Sequence, residues 1–138
     1  VCAVQLTDQG KVRRFYALPI DDFSSKSLKG IFEGHISKGA SVTTDEWRGY
    51  RPIAKDYHIE QVPSLHGQNF KAMHTMIHQV KYWIKTTYSW VSRKRIGRYF
   101  NEFCYRLNRS QSKLRVFHNL IKRMVDRGKV YQAQIICS

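Results

Sequence analysis

Acidic residues are scarce in this chain: 10 Asp and Glu stand against 24 Lys and Arg in 138 residues, which leaves a net charge of +14. Such an excess goes far beyond what solubility requires, and it points to a polyanionic partner of the phosphate-backbone kind. Cysteine is also sparse. Cys2, Cys104 and Cys137 are widely scattered, odd in number and without a C-x-x-C pair, which excludes a disulfide framework and a zinc knuckle and leaves ordinary intracellular thiols. No apolar run approaches the roughly 18 residues of a membrane span, and no charged-then-apolar leader opens the chain. A cytoplasmic location with no membrane partner is the expectation. Repeats and low-complexity linkers are lacking too. An initiator Met is absent, and the chain starts directly on the strand-like "VCAVQL", as if cut from something longer.

What is present is enough for one domain with a real core, because 138 residues at 42% hydrophobic content argue against disorder. "VCAVQL" and "KVRRFYALPI", joined through Thr7 to Gly10, predict a β-hairpin with the glycine at positive φ. Leu28, Ile31, Phe32 and Ile36 recur at helical spacing after Ser24 or Ser25 as a cap, with Gly39 as a stop. A strand ending at Asp45, a helical turn near Pro52 to Lys55, a strand at "HIEQVP" and a glycine-containing loop at "SLHGQN" follow. Three amphipathic helices complete the pattern. The first carries the stripe Phe70, Met73, Ile77, Val80 and Ile84. The second has Ile96, Tyr99, Phe100, Phe103 and Leu107, capped by Ser92. The third has Leu114, Phe117, Leu120, Ile121 and Met124, stopped by Gly128. Alternating strands and helices followed by helices predict an α/β layer fold with a mixed sheet, the Asp45 strand central in it.

Two helix faces carry charge. Glu102, Arg106 and Arg109 stand at i, i+4 and i+7, extended toward the N-terminus by Arg95 and Arg98. A solvated row in which Glu102 pairs with Arg98 and Arg106 is the modest reading, and the excess of cations favours phosphate. His74, His78, Lys81 and Lys85 share a sector of the preceding helix. The H-x-x-x-H pair lacks a third ligand for zinc, so a cationic face for DNA is the better reading. Tyr82, Trp83 and Trp90 lie among these bases, placed either for stacking on unpaired nucleotides or for the core. Asp45, at a strand end, either reaches a metal or caps the turn that follows.

Together "TDEWRGY", "HTMIHQVKYWIK" and "VSRKRIGRYFNEFCYRLNR" resemble the catalytic part of DDE-type insertion-sequence transposases of the ISXO-like group. That resemblance covers nearly the whole chain. It implies a ribonuclease-H-like sheet, apparently lacking its first strand, followed by C-terminal helices: a truncated catalytic domain over 1–138, with its core in 1–90 and basic helices in 91–127. It also implies DNA cleavage and strand transfer with two magnesium ions, transposon ends and target DNA as partners, and assembly as a homo-oligomer on DNA. Carried over, Asp45 is the second acid and a metal ligand, while Trp47, Gly49 and Tyr50 shape the turn. Gln79 stands at the third ligand position, where the family has Asn or Glu, with His78 as the alternative one residue away. Lys81 matches a Lys two residues after that ligand. Glu102, Arg106 and Arg109 match the family's late helix and position DNA or buttress the site, while Lys85, Arg95 and Arg98 are read from the basic helix faces as further DNA-binding residues. The first acid belongs to a strand upstream of the hairpin, so a fragment or impaired copy is expected. The alternative from another class is a non-catalytic basic nucleic-acid-binding module in which Asp45 is only structural.

Overall fold

Strands β1 (Cys2–Leu6) and β2 (Val12–Ala17) form the expected antiparallel hairpin. Its turn closes because Gly10 takes φ +73° and donates its N–H to the Thr7 carbonyl at 2.8 Å. A side chain at that φ would be strained. In the computed structural model residues 1–110 and 116–131 are described, and the chain divides into two units, Val1–Asn108 and Arg109–Ser138.

Successive strand residues point to opposite faces, and both faces of the hairpin are covered. Cys2 and Val4, opposite Ala17 and Phe15, join Met76, Val80, Phe103 and Cys104 of α2 (Lys71–Thr87) and α3 (Ile96–Ser110) in one core. Ala3 and Tyr16 turn the other way, toward Leu28, Ile31 and Phe32 of α1 (Ser25–His35). The hairpin is thus the middle of three layers. Val42 of β3 (Ser41–Thr44) and Ile59 of β4 (His58–Gln61), directly paired in parallel register, pack into the same α1 cluster with Ile53 and Tyr57 from the connection.

One expectation is corrected. The strands do not share one mixed sheet with the Asp45 strand central; among the described residues they form two two-stranded sheets, the antiparallel hairpin and the parallel pair. Helix α1 holds both against a single apolar cluster, so burial joins them without hydrogen bonds between their edges.

Helix boundaries follow local chemistry. Ser24 is the N-cap of α1, its hydroxyl accepting the Ser27 N–H at 3.3 Å, and the helix ends when Ile36 turns extended, before Gly39 is reached. In α2, Met76 and Val80 are the buried positions and Met73, Ile77 and Ile84 the half-buried flanks, while Phe70 lies just outside as N-cap. The glycine-containing loop expected at "SLHGQN" is a tight one: short 3-10 turns within Leu65–Phe70 meet at a kink where His66 and Gly67 leave helical angles, with Leu65, His66 and Gly67 at positive φ. Ser92 precedes a 3-10 turn, Arg93–Arg95, that leads into α3 without a side-chain cap. The second unit contributes α4 (Val116–Asp126), on which Phe117, Leu120, Ile121 and Met124 are all exposed. Leu114 and Cys137 lie outside the described residues.

Candidate nucleic-acid interface and the Asp45 turn

Alternation along β3 buries Thr44 and leaves Asp45 exposed immediately after the strand. One carboxylate oxygen of Asp45 accepts the Trp47 N–H at 3.3 Å, the local turn bond of the modest reading. The Gln61 side chain donates to the carbonyls of Asp45 and Trp47, at 3.1 Å each, and ties the turn to the end of β4. Trp47 Nε1 donates to the Phe23 carbonyl at 2.9 Å. Gly49 sits where a Cβ would lie 2.7 Å from Trp47 Nε1 and 2.9 Å from both Leu28 Cδ1 and the Phe23 oxygen, so close approach explains this glycine. Burial, with the nearby Asp45 carboxylate and Cys2 thiol adding to it, raises the Tyr50 pKa above the usual phenol range.

On α2, His74, His78, Gln79, Lys81 and Lys85 are exposed. Residues three or four apart share a helix face and residues two apart do not, so His78, Lys81 and Lys85 form one basic strip and Gln79 points away from it. Lys81 is within electrostatic reach of Cys2, whose thiol burial pushes up. Burial likewise raises the Cys104 thiol above its ordinary value, so both cysteines among the described residues favour the protonated thiol. The His74 ring covers Gly67, where a Cβ would lie 2.6 Å from His74 Nε2.

The aromatic residues divide in their roles. Trp83 belongs to the core, its ring 5.5 Å from that of Phe103, whereas Tyr82 and Trp90 are 71% and 77% exposed among the bases. Arg95, Arg98 and Arg106 are exposed, and Arg109 is half-buried. Glu102 is engaged on both oxygens: Tyr88 donates its hydroxyl to Oε2 at 2.7 Å, and Arg106 donates Nε and Nη2 to Oε1 at 3.0 and 2.8 Å. The Tyr88 hydrogen bond is the main cause holding the Glu102 carboxyl below its usual range, and the same bond raises the Tyr88 phenol. Sequence spacing found the Glu102 to Arg106 pair. It missed Tyr88, Gln61 and Asn108, whose partners are distant in the chain; only their polarity at helix and strand ends hinted at them.

No group of three or more His, Cys, Asp or Glu able to hold a metal exists among the described residues. Asp45 with the neutral Gln79 does not fit a two-magnesium centre, since magnesium retains its waters unless carboxylates gather it. No helix among the described residues is long and apolar enough to cross a membrane.

Neither the comparison with curated proteins nor that with solved structures returned a match. A family model does match: the ISXO2-like transposase domain aligns with residues 1–108, the span that holds the hairpin, the Asp45 turn, α2 and nearly all of α3. The chain belongs to the ISXO2-like transposase domain family.

Proposed function

We propose that this chain carries a transposase catalytic domain that grips DNA phosphates through the basic faces of α2 and α3, with Asp45 as one acid of the cleavage site. Its core spans 1–90 and its basic helices 91–127. The observation that carries the reading is the family match over 1–108 together with the exposed Asp45 at the end of a parallel strand. Among the described residues, an antiparallel hairpin and a parallel pair gathered under α1 also suit part of a ribonuclease-H-like layer. In this reading Lys81, Lys85, Arg95, Arg98, Arg106 and Arg109 meet backbone phosphates. The divalent metal implied by the family resemblance needs carboxylates in addition to Asp45, because Gln79 offers only a neutral amide. On DNA the protein assembles with further copies.

The test is the salt dependence of DNA binding. If roughly six phosphates are neutralised, log K falls with log salt at a slope of about −5. Binding that ignores salt, or no binding at low salt, contradicts the reading. A non-catalytic basic module is the second reading, favoured by the Asp45 bond to the Trp47 N–H and by the absence of an acidic cluster among the described residues. The two separate on Asp45→Ala in a version that cleaves DNA, because a structural Asp45 alters stability and leaves chemistry intact.

A further inference from the structure

The Tyr88, Glu102 and Arg106 side chains form a single braced unit whose base is the core. Tyr88 is fixed from below: its ring packs edge-on against Tyr99 at 4.5 Å and Trp83 at 5.4 Å, and its backbone N–H closes the end of α2 on the Ile84 carbonyl. Its hydroxyl holds one oxygen of Glu102, and the other oxygen takes two N–H groups of Arg106. A guanidinium has five such donors, and Glu102 takes two of them on a side chain that is 69% exposed. A carboxylate on a basic, DNA-facing helix is otherwise a liability, because it repels phosphate.

We propose that Glu102 is a positioning residue, anchored by Tyr88, that holds the Arg106 guanidinium in the orientation that receives a DNA phosphate. The inference rests on the DNA-binding reading of α3. An unbraced arginine must be immobilised on binding, which costs affinity roughly twofold to tenfold. Bracing shifts that cost to folding. Coulomb repulsion and positioning thus predict opposite signs: removing the negative charge tightens DNA binding if repulsion dominates and weakens it if Glu102 orients Arg106.

The experiment measures duplex DNA affinity against salt for the unaltered chain, Glu102→Ala, Tyr88→Phe, Arg106→Ala and the Tyr88→Phe/Arg106→Ala double variant. Arg106→Ala is expected to make the salt slope shallower by about 1. Glu102→Ala is expected to weaken binding despite the higher net charge, and Tyr88→Phe to weaken it without any change in charge. The Tyr88→Phe effect is expected to vanish in the Arg106→Ala background, which a general loss of stability would not produce. If Glu102→Ala fails to fold, the Tyr88 cycle alone decides. Equal or tighter binding by Glu102→Ala, or a Tyr88→Phe effect that persists without Arg106, overturns the positioning role. Absence of salt-dependent binding by the unaltered chain is a separate failure, because it overturns the DNA reading itself.

Discussion

The side-chain amide of Asn108 pairs with both backbone groups of Phe15: Oδ1 accepts the Phe15 N–H at 2.8 Å, and Nδ2 donates to the Phe15 carbonyl at 2.9 Å. Residues 93 positions apart are joined here as if by a strand partner. The bond blunts the outer edge of β2 and fixes the end of α3 against the hairpin. Phe15 is fully buried, so its backbone groups have no ready substitute in water. Asn108→Ala is expected to lower stability by about 1–3 kcal/mol, read as a fall in the urea midpoint with an unchanged slope. Asn108→Asp keeps the acceptor and loses the donor, and its midpoint is expected to fall between the two.

Gly49 is confined by Trp47, Leu28 and the Phe23 carbonyl, and not by its φ. Gly49→Ala therefore forces the Trp47 ring from its bond to Phe23, at a cost of about 1–3 kcal/mol. Tryptophan emission should shift along with the unfolding midpoint. A variant as stable as the unaltered chain means that the turn yields easily.

Asp22 tests the acid side of the stability curve. Its carboxylate accepts the Ser27 hydroxyl at 2.7 Å and the Ser24 N–H at 2.9 Å at the start of α1, and its pKa is lowered to about 2, first by hydrogen bonding to the Ser24 side chain. A carboxyl whose folded pKa lies below its unfolded value stabilises the fold above the unfolded pKa and loses that contribution as pH falls through the folded one. The window runs from the ordinary value of 3.8 down to about 2. Urea midpoints for Asp22→Asn and the unaltered chain are expected to converge across that window as the pH falls. The depressed Glu102 carboxyl contributes with the same sign.

Local pattern carried the parts of this fold whose causes are local. Gly10 announced the hairpin turn, Ser24 with Leu28, Ile31 and Phe32 announced α1, and the shared sector of His74, His78, Lys81 and Lys85 followed from helical spacing. The sheets were misread because strand pairing depends on edges far apart in the chain, and nothing in "ASVTTD" says that its partner is "HIEQ" alone. The positive φ at Leu65 and His66 was equally hidden, since non-glycine residues seldom take it and the turn is held by Ser64, Asn69 and the His74 ring over Gly67. At the site, spacing showed Glu102 with Arg106, and only three dimensions showed Tyr88 behind them.

The isolated chain is expected to bind magnesium weakly, because no group of three or more His, Cys, Asp or Glu that could hold a metal lies among the described residues. Calorimetric titration with magnesium checks this, and Gln79→Glu is expected to strengthen binding only if Gln79 faces Asp45. Unchanged binding by the Gln79→Glu variant favours His78, which shares its face with Lys81.

The most direct test of the account is magnesium-dependent nicking of a supercoiled plasmid. Three proteins are compared: the chain as it stands, a version lengthened at its N-terminus by an Asp-bearing strand, and that longer version with Asp45→Ala. The account predicts negligible nicking by the first, clear nicking by the second, and its loss in the third with salt-dependent DNA binding nearly intact, since phosphate is held by lysines and arginines. Robust nicking that survives the loss of Asp45 would contradict it, and the acid at the end of β3 would then be a structural cap.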